Sequence, residues 1–403
     1  MLQRLLTGMF VVIIGASVHA AEPAAATQNI DWGLETPVIV TKPGPEYDAQ
    51  GRDYGMVIGM DRTPKGRVWA CWVAGGDNDH GFFVAASSDD GAKTWSKPRL
   101  VIDPSDPPGI PRRRTLVGNF WTGPTGRLWL FFDQSVGYFD GRAGAWAITC
   151  DNPDADEPTW SAPRRIWHGC TLNKPTVLKS GEWLMPISLW TRDRINKPER
   201  ETAFKELDEF RMANVFASTD QGKTWTRRGG ARFPNTAFDE HMIVELKDGR
   251  LWMLARTSAG HIAESFSVDA GRTWQEPRPS GIRNLSARFF LRRLASGNLL
   301  LVKNGGIDEA LKQRSHLSAF LSKDDGKTWE GGLMLDERSA VSYPDGFQSP
   351  DGLIWIVYDR NRATDGEILI ARFSEKDVES RRFESPGAAE RVLVSKPEKK
   401  KAP

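Results

Sequence analysis

The sequence predicts an all-β protein, a β-propeller of six blades. Three observations predict it. A short Gly–x–apolar pattern, usually carrying Trp, recurs six times along the chain. A second pattern, Ser–x–Asp–x–Gly–x–Thr–Trp, recurs behind several of its copies. Turn formers and tryptophan are abundant, with 38 Gly and 16 Trp in 403 residues. Copies roughly 50–70 residues apart match propeller blades with long loops.

Read from the start, residues 1–20 fit a secretory signal. Arg4 supplies the positive end, residues 5–15 the apolar run and Val18-His19-Ala20 a small-x-small cleavage site. The run is shorter than the roughly 20 residues of a membrane span. The expectation is therefore a cleaved signal, a secreted or periplasmic protein and no span in the mature chain. Residues 21–44 are expected to be a linker or first strand, 45–385 the propeller, and 386–403 a disordered tail ending in lysines. With 54 Lys+Arg against 52 Asp+Glu, the net charge of +2 gives no electrostatic case for nucleic acid. Cys71, Cys150 and Cys170 match no metal spacing and are expected as small buried residues. No metal or other cofactor is implied.

The first pattern reads Gly66-Arg-Val-Trp69, Gly126-Arg-Leu-Trp129, Gly181-Glu-Trp183, Gly249-Arg-Leu-Trp252, Gly297-Asn-Leu-Leu300 and Gly352-Leu-Ile-Trp355. Turn residues precede each Gly, so each copy reads as a hairpin between two apolar strands. The second pattern is clean at Ser218–Trp225, Ser267–Trp274 and Ser322–Trp329. It appears with one inserted residue at Ser87, Asp89, Gly91, Thr94 and Trp95, and degenerate from Asp151 to Thr159-Trp160. Its physics is local. The Asp carboxylate accepts backbone N–H groups across a turn, Gly supplies positive φ, and Trp covers a large apolar face. Trp95, Trp225, Trp274 and Trp329 are expected to be buried at equivalent places.

If the innermost strand leads each blade, first-strand starts and second-strand ends share one face, opposite the Ser–x–Asp turns. Nine residues before Gly249, Gly297 and Gly352 lie Glu240, Arg288 and Tyr343; eight before Gly181 lies Asn173. Second-strand ends supply Arg256, Arg360 and Arg362, and Asp77 and Asp79. A polar ring at a propeller mouth is a ligand site or a wet channel. A charged excursion at residues 191–212, with Phe204, Leu207 and Phe210 at helical spacing, is expected as a loop with a short helix near that mouth.

The repeated turns are Asp-boxes, and over residues 45–380 the chain resembles the sialidase (neuraminidase) superfamily of Asp-box, or BNR-repeat, six-bladed propellers. That resemblance implies three Arg on a sugar carboxylate, a Tyr nucleophile activated by a Glu, and an Asp acid/base. In chain order the candidates are Arg52, Asp77 or Asp79, Glu240, Arg256, Arg288 and Tyr343, with Arg360, Arg362, His241, Asp345 and Asn173 as further substrate contacts. Around Arg52 the text Gly51-Arg-Asp-Tyr-Gly55 departs from the family's Arg-Ile-Pro. Three readings follow: an exo-acting glycosidase on a carboxylate-bearing terminal sugar, a hydrolase or lyase of uronate polysaccharide, or a non-catalytic propeller binding a glycan or protein. The Glu240–Tyr343 couple favours an enzyme.

Overall fold

The computed structural model describes residues 30–104, 109–196 and 198–398. Six antiparallel sheets follow one another along the chain, each built from strands consecutive in sequence. Blade one comprises Met56–Arg62, Val68–Ala74, Phe82–Ser88 and Leu100–Ile102, extended at its outer edge by Ile39–Val40. Blade two comprises Gly118–Thr122, Leu128–Val136, Gly144–Cys150 and Arg164–Trp167, with the short strand Arg113–Arg114 on the end of its second strand. Blades three to six have four strands each, beginning at Thr176–Val177, Met242–Glu245, Phe290–Arg293 and Val341–Gln348. These first strands pack against one another: blade six's meets blade one's, which meets blade two's.

All six repeated glycines lie in the turn between a blade's first and second strands, with φ between 81° and 110°. The adjoining Trp69, Trp129, Trp183, Trp252 and Trp355 are buried. They pack on aromatics of the same and neighbouring blades, as where Trp121 meets Trp183 edge-on at 4.8 Å. Blades six and one are stitched by side chains: the Val57 and Met60 amides donate to Asp359 and Asp345, each at 3.1 Å.

Four sequence expectations change. Residues 389–395, placed in the tail, form the outermost strand of blade six, Ala389–Ser395, because the third strand Glu367–Phe373 needs a partner. The blade-one Asp-box has no insertion. Its anchors are Ser88 and Asp90, and Thr94 donates to Asp90 through both its N–H (2.9 Å) and its hydroxyl (2.6 Å). Ala92 then occupies the usual glycine place, at φ 63°. In blade two the anchor is Asn152, not Asp151; it accepts the Thr159 amide at 2.8 Å, and Cys150 stands where the other boxes have Ser. Lastly, Trp95, Trp225, Trp274 and Trp329 are equivalent but only half-buried; Trp225, for one, meets Phe131 of the neighbouring blade edge-on at 6.4 Å. In blade six a capped helix, Glu375–Ser380, replaces the box.

The three cysteines are free and buried. The charged excursion is a chain of 3-10 turns, Arg192–Arg194, Glu199–Glu201 and Lys205–Phe210, with Leu207 buried. Residues 1–20, expected as a signal, lie outside the described residues. Among the described residues no helix is long and apolar enough to cross a membrane.

Candidate functional site

The mouth is built where first strands begin. Immediately before the first strand of blade four, Phe238-Asp239-Glu240 turns sharply. Asp239 and Glu240 both take left-handed backbone, φ 55° and 46°. Such a conformation costs about 1–2 kcal/mol for a non-glycine residue. Local bonds hold it: the Asp239 N–H reaches the Thr236 hydroxyl, Ser188 donates to the Asp239 carboxylate at 2.6 Å, and the Arg256 amide donates to the Asp239 carbonyl at 2.9 Å. In blade six the pairing with the second strand slips between Ser342 and Asp345, a bulge that throws Tyr343 out of the ladder at φ 56°. Pro344, with no N–H to give the ladder, suits that place.

These two distortions bring Tyr343 Oη within 2.9 Å of Glu240 Oε1. Arg256 Nη1 donates to the same carboxylate oxygen at 2.8 Å and lies 3.5 Å from the phenol oxygen. Two more guanidinium groups stand by the Tyr343 ring, Arg362 at 4.0 Å and Arg314 at 5.4 Å from its centroid. Arg362 is held by Asp359 at 3.0 Å and by the Ser342 hydroxyl at 3.0 Å. Arg314 donates to that same hydroxyl at 3.3 Å and has no carboxylate partner among the described residues. Asp77, half-exposed, lies 3.7 Å from Arg362. Tyr54 sits beside Arg362 and Asp77, and an aromatic wall of Tyr138, Trp190 and Phe238 faces blades two and three. Arg194, from the excursion, stacks on Phe238 at 4.7 Å.

The electrostatics assign the resting protons. Burial works to raise Glu240, yet Arg256 and the Tyr343 hydrogen bond hold its carboxyl below the usual range. Burial and the Glu240 charge push the Tyr343 phenol up, outweighing Arg256, Arg362 and Arg314. Near neutral pH the pair is therefore a carboxylate accepting a hydrogen bond from a neutral phenol. Burial also lowers Arg314, against which no nearby carboxylate acts strongly enough to restore it.

Several sequence candidates lie elsewhere. Arg52 is buried under the edge of blade one, bonded to the Asp48 carbonyl and the Ser395 hydroxyl and stacked on Trp72 at 5.3 Å, so it does not reach the mouth. Arg360 alternates to the far side of its strand and pairs with Asp365 and Glu367. The Asp79 carboxylate lies 3.8 Å from His80, and its backbone carbonyl accepts from Arg112 at 2.9 Å. His241 is buried against the Asn214 carbonyl at 2.9 Å and is pushed down to about 4 by burial, so it is neutral. Arg288, Asp345 and Asn173 are buried beneath the mouth, where they bond one another and offer no exposed group to a ligand.

Arg314, Tyr54 and the aromatic wall were missed. Arg314 ends the loop leading into the third strand of blade five, Leu317–Ser322, and that loop opens on the same face. The signal was available: third-strand starts share the mouth with first-strand starts. Among the described residues no group of three or more His, Cys, Asp or Glu is arranged to hold a metal ion.

Comparison with known proteins follows the same lines. The model of the BNR repeat-like domain matches residues 66–356. A sialidase of Bacteroides fragilis (strain YCH46) is 25% identical over 287 residues, 64% of this chain and 50% of that protein. A sialidase of Micromonospora viridifaciens is 28% identical over 40% of this chain and 25% of its own length. The chain thus spans half or less of these two relatives. Among solved structures, the Hadza microbial sialidase Hz136 superposes with a TM-score of 0.62 at 19% identity, covering 81% of this chain and 66% of that one. The intramolecular trans-sialidase of Ruminococcus gnavus does so at 0.60 and 15% identity, covering 85% and 98%. The six-sheet ring, the Asp-box turns and the match over most of the chain place the protein in the BNR repeat-like family of the sialidase superfamily.

Proposed function

We propose that the protein is an exported, exo-acting glycoside hydrolase of sialidase type, which releases a terminal carboxylate-bearing sugar from a glycan. The observation that carries this reading is the 2.9 Å contact of Tyr343 Oη with Glu240 Oε1 inside a ring of three arginines. Arg314, with no carboxylate of its own, and Arg256 and Arg362 beside it suit a bound carboxylate, because guanidinium forks match its geometry. That bound anion explains the choice of nucleophile. A carboxylate nucleophile would be repelled by it, whereas a neutral phenol is not.

In the proposed reaction Tyr343 Oη attacks the anomeric carbon as its proton passes to Glu240. The bond to the leaving oxygen breaks, and Asp77 protonates that oxygen. Asp77 then takes a proton from water, the water oxygen displaces Tyr343, and Glu240 returns the proton to the phenol. Export rests on the character of residues 1–20.

The test is the rate of aryl release from an aryl sialoside and, separately, from an aryl uronide. Turnover of the first supports a sialidase. Turnover of the second alone redirects the reading to uronate-bearing glycans. Turnover of neither, with retained glycan binding, replaces the hydrolase by a binding propeller.

A further inference from the structure

We propose that Asn173, Arg288 and Asp345 are positioning residues, a buried strut across the propeller axis that sets the separation of Glu240 from Tyr343. This rests on the hydrolase reading, for which those two residues are the reacting pair.

The strut can be followed bond by bond. The Asn173 side-chain amide, from blade three, donates to the Glu240 carbonyl at 2.9 Å and the His241 carbonyl at 3.0 Å. It therefore grips the chain on the C-terminal side of the left-handed Asp239-Glu240 turn. The Asn173 Oδ1 accepts from Arg288, of blade five, at 3.2 and 2.9 Å. Arg288 reaches on to Asp345 Oδ1 at 3.3 Å, two residues past Tyr343 and at the closing edge of the blade-six bulge. Its remaining donors go to the Ile58 and Leu172 carbonyls, each at 3.0 Å. Asp345 is fixed further by Lys174 at 2.6 Å, Asn119 at 2.9 Å and the Met60 amide at 3.1 Å.

All of this is buried: Arg288 and Asp345 are each 1% exposed and Asn173 3%. Gly59 permits the approach, since a Cβ there would stand 1.9 Å from Asn119 Oδ1. Buried ion pairs contribute little net stability compared with apolar packing. Here the network touches the backbone beside both strained residues, and their strain persists only where surroundings over-determine it. Arg288 also lies 5.9 Å from the centroid of the Tyr343 ring, beneath it, where it blocks retreat of the phenol into the axis.

Asn173→Asp is the sharpest probe. It keeps the shape and the Arg288 contact but turns two donors into an acceptor facing two carbonyls. The crystal structure of the variant should place Tyr343 Oη more than 3.5 Å from Glu240 Oε1. With the substrate that the wild type turns over, kcat should fall about 100-fold, the penalty for misplacing a reacting group by about 1 Å. KM should stay within about threefold, because Arg256, Arg314 and Arg362 remain. The acid limb of the kcat profile should move to higher pH, since Glu240 loses the Tyr343 hydrogen bond that helps to hold it down. A folded variant that retains the 2.9 Å contact overturns the proposal, whatever its rate. If the wild type turns over no glycoside, the hydrolase reading fails, while the measured separation still decides the strut. Should Asn173→Asp not fold, Asn173→Ser, which keeps one shorter donor, is measured in the same way.

Discussion

The two faces of this propeller are built by opposite means. On one face the Asp-boxes repeat a single device that closes within eight residues. In blades three, four and five, the Ser hydroxyl donates to the Asp at 2.8–2.9 Å, and the Thr hydroxyl donates to it at 2.6–2.7 Å. On the other face, among the described residues, the contacts differ from blade to blade. Glu240 meets a phenol 103 residues away, and Asn119 meets a carboxylate 226 residues away. Each box takes its shape from its own eight residues, and single bonds such as Arg164 to the Gly222 carbonyl and the Lys247 N–H to Asp325 tie it to the next blade. The mouth has one copy of each part, and each depends on several blades.

The widest gap between the faces should appear with Tyr343→Phe. It removes the oxygen proposed to react and leaves the ring beside Arg362 and Arg314, so kcat should fall about 1,000-fold or more with the fold intact. Aryl glycoside release beside a thermal melt checks this; an unchanged rate removes Tyr343 from the mechanism. Trp183→Ala strikes the frame instead. Its side chain is 3% exposed, and truncation should cost about 3–5 kcal/mol of stability. The half-buried Trp225→Ala should cost less, and denaturant titration of both variants ranks them.

Arg314→Ala removes the mouth cation that has no carboxylate of its own. KM for a carboxylate-bearing substrate should rise about 10–100-fold, from loss of a charge-assisted bond. Binding of the matching neutral glycoside should hardly change; an equal loss for both would return Arg314 to a structural role. The pH response sharpens the picture. Glu240 is lowered in the folded protein, so its stabilising contribution is present above the unfolded value and lost as pH falls through the folded one. Tyr343 is raised, so its contribution is complete below the unfolded value, near 10, and lost as pH rises through the folded one. Activity should thus persist to a pH below the ordinary glutamate value of about 4.3 before Glu240 protonates. Glu240→Gln should remove that limb.

The smallest effect belongs to a single box. Ala92 holds a left-handed place at φ 63° that glycine accepts freely, so Ala92→Gly should stabilise by about 1 kcal/mol or less, with kcat unchanged. A lowered melting temperature would mean that the buried methyl packs better than its backbone strains.

What could be read from residues alone follows the same division. Six glycine turns and their tryptophans fix blade number and strand order, since hairpins and Asp-boxes depend on neighbours within a few residues. Counting back from those glycines also found Asn173, Glu240, Arg288 and Tyr343, because equivalent strands begin at equivalent offsets. The offset does not say whether a side chain rises into the mouth or sinks into the axis. Glu240 and Tyr343 rise because a left-handed turn and a bulge redirect them; Arg288 and Asn173 sink and bond each other. Arg52 and Arg360 have the right charge in the right blades, yet Ser395 and Asp365 hold them elsewhere. Arg314 lies on a loop that no repeat marks. Strand periodicity is a short-range property of the chain, and it determined the ring. Which charges face one cavity depends on bulges, strain and partners tens to hundreds of residues distant, so only the folded ring decided it.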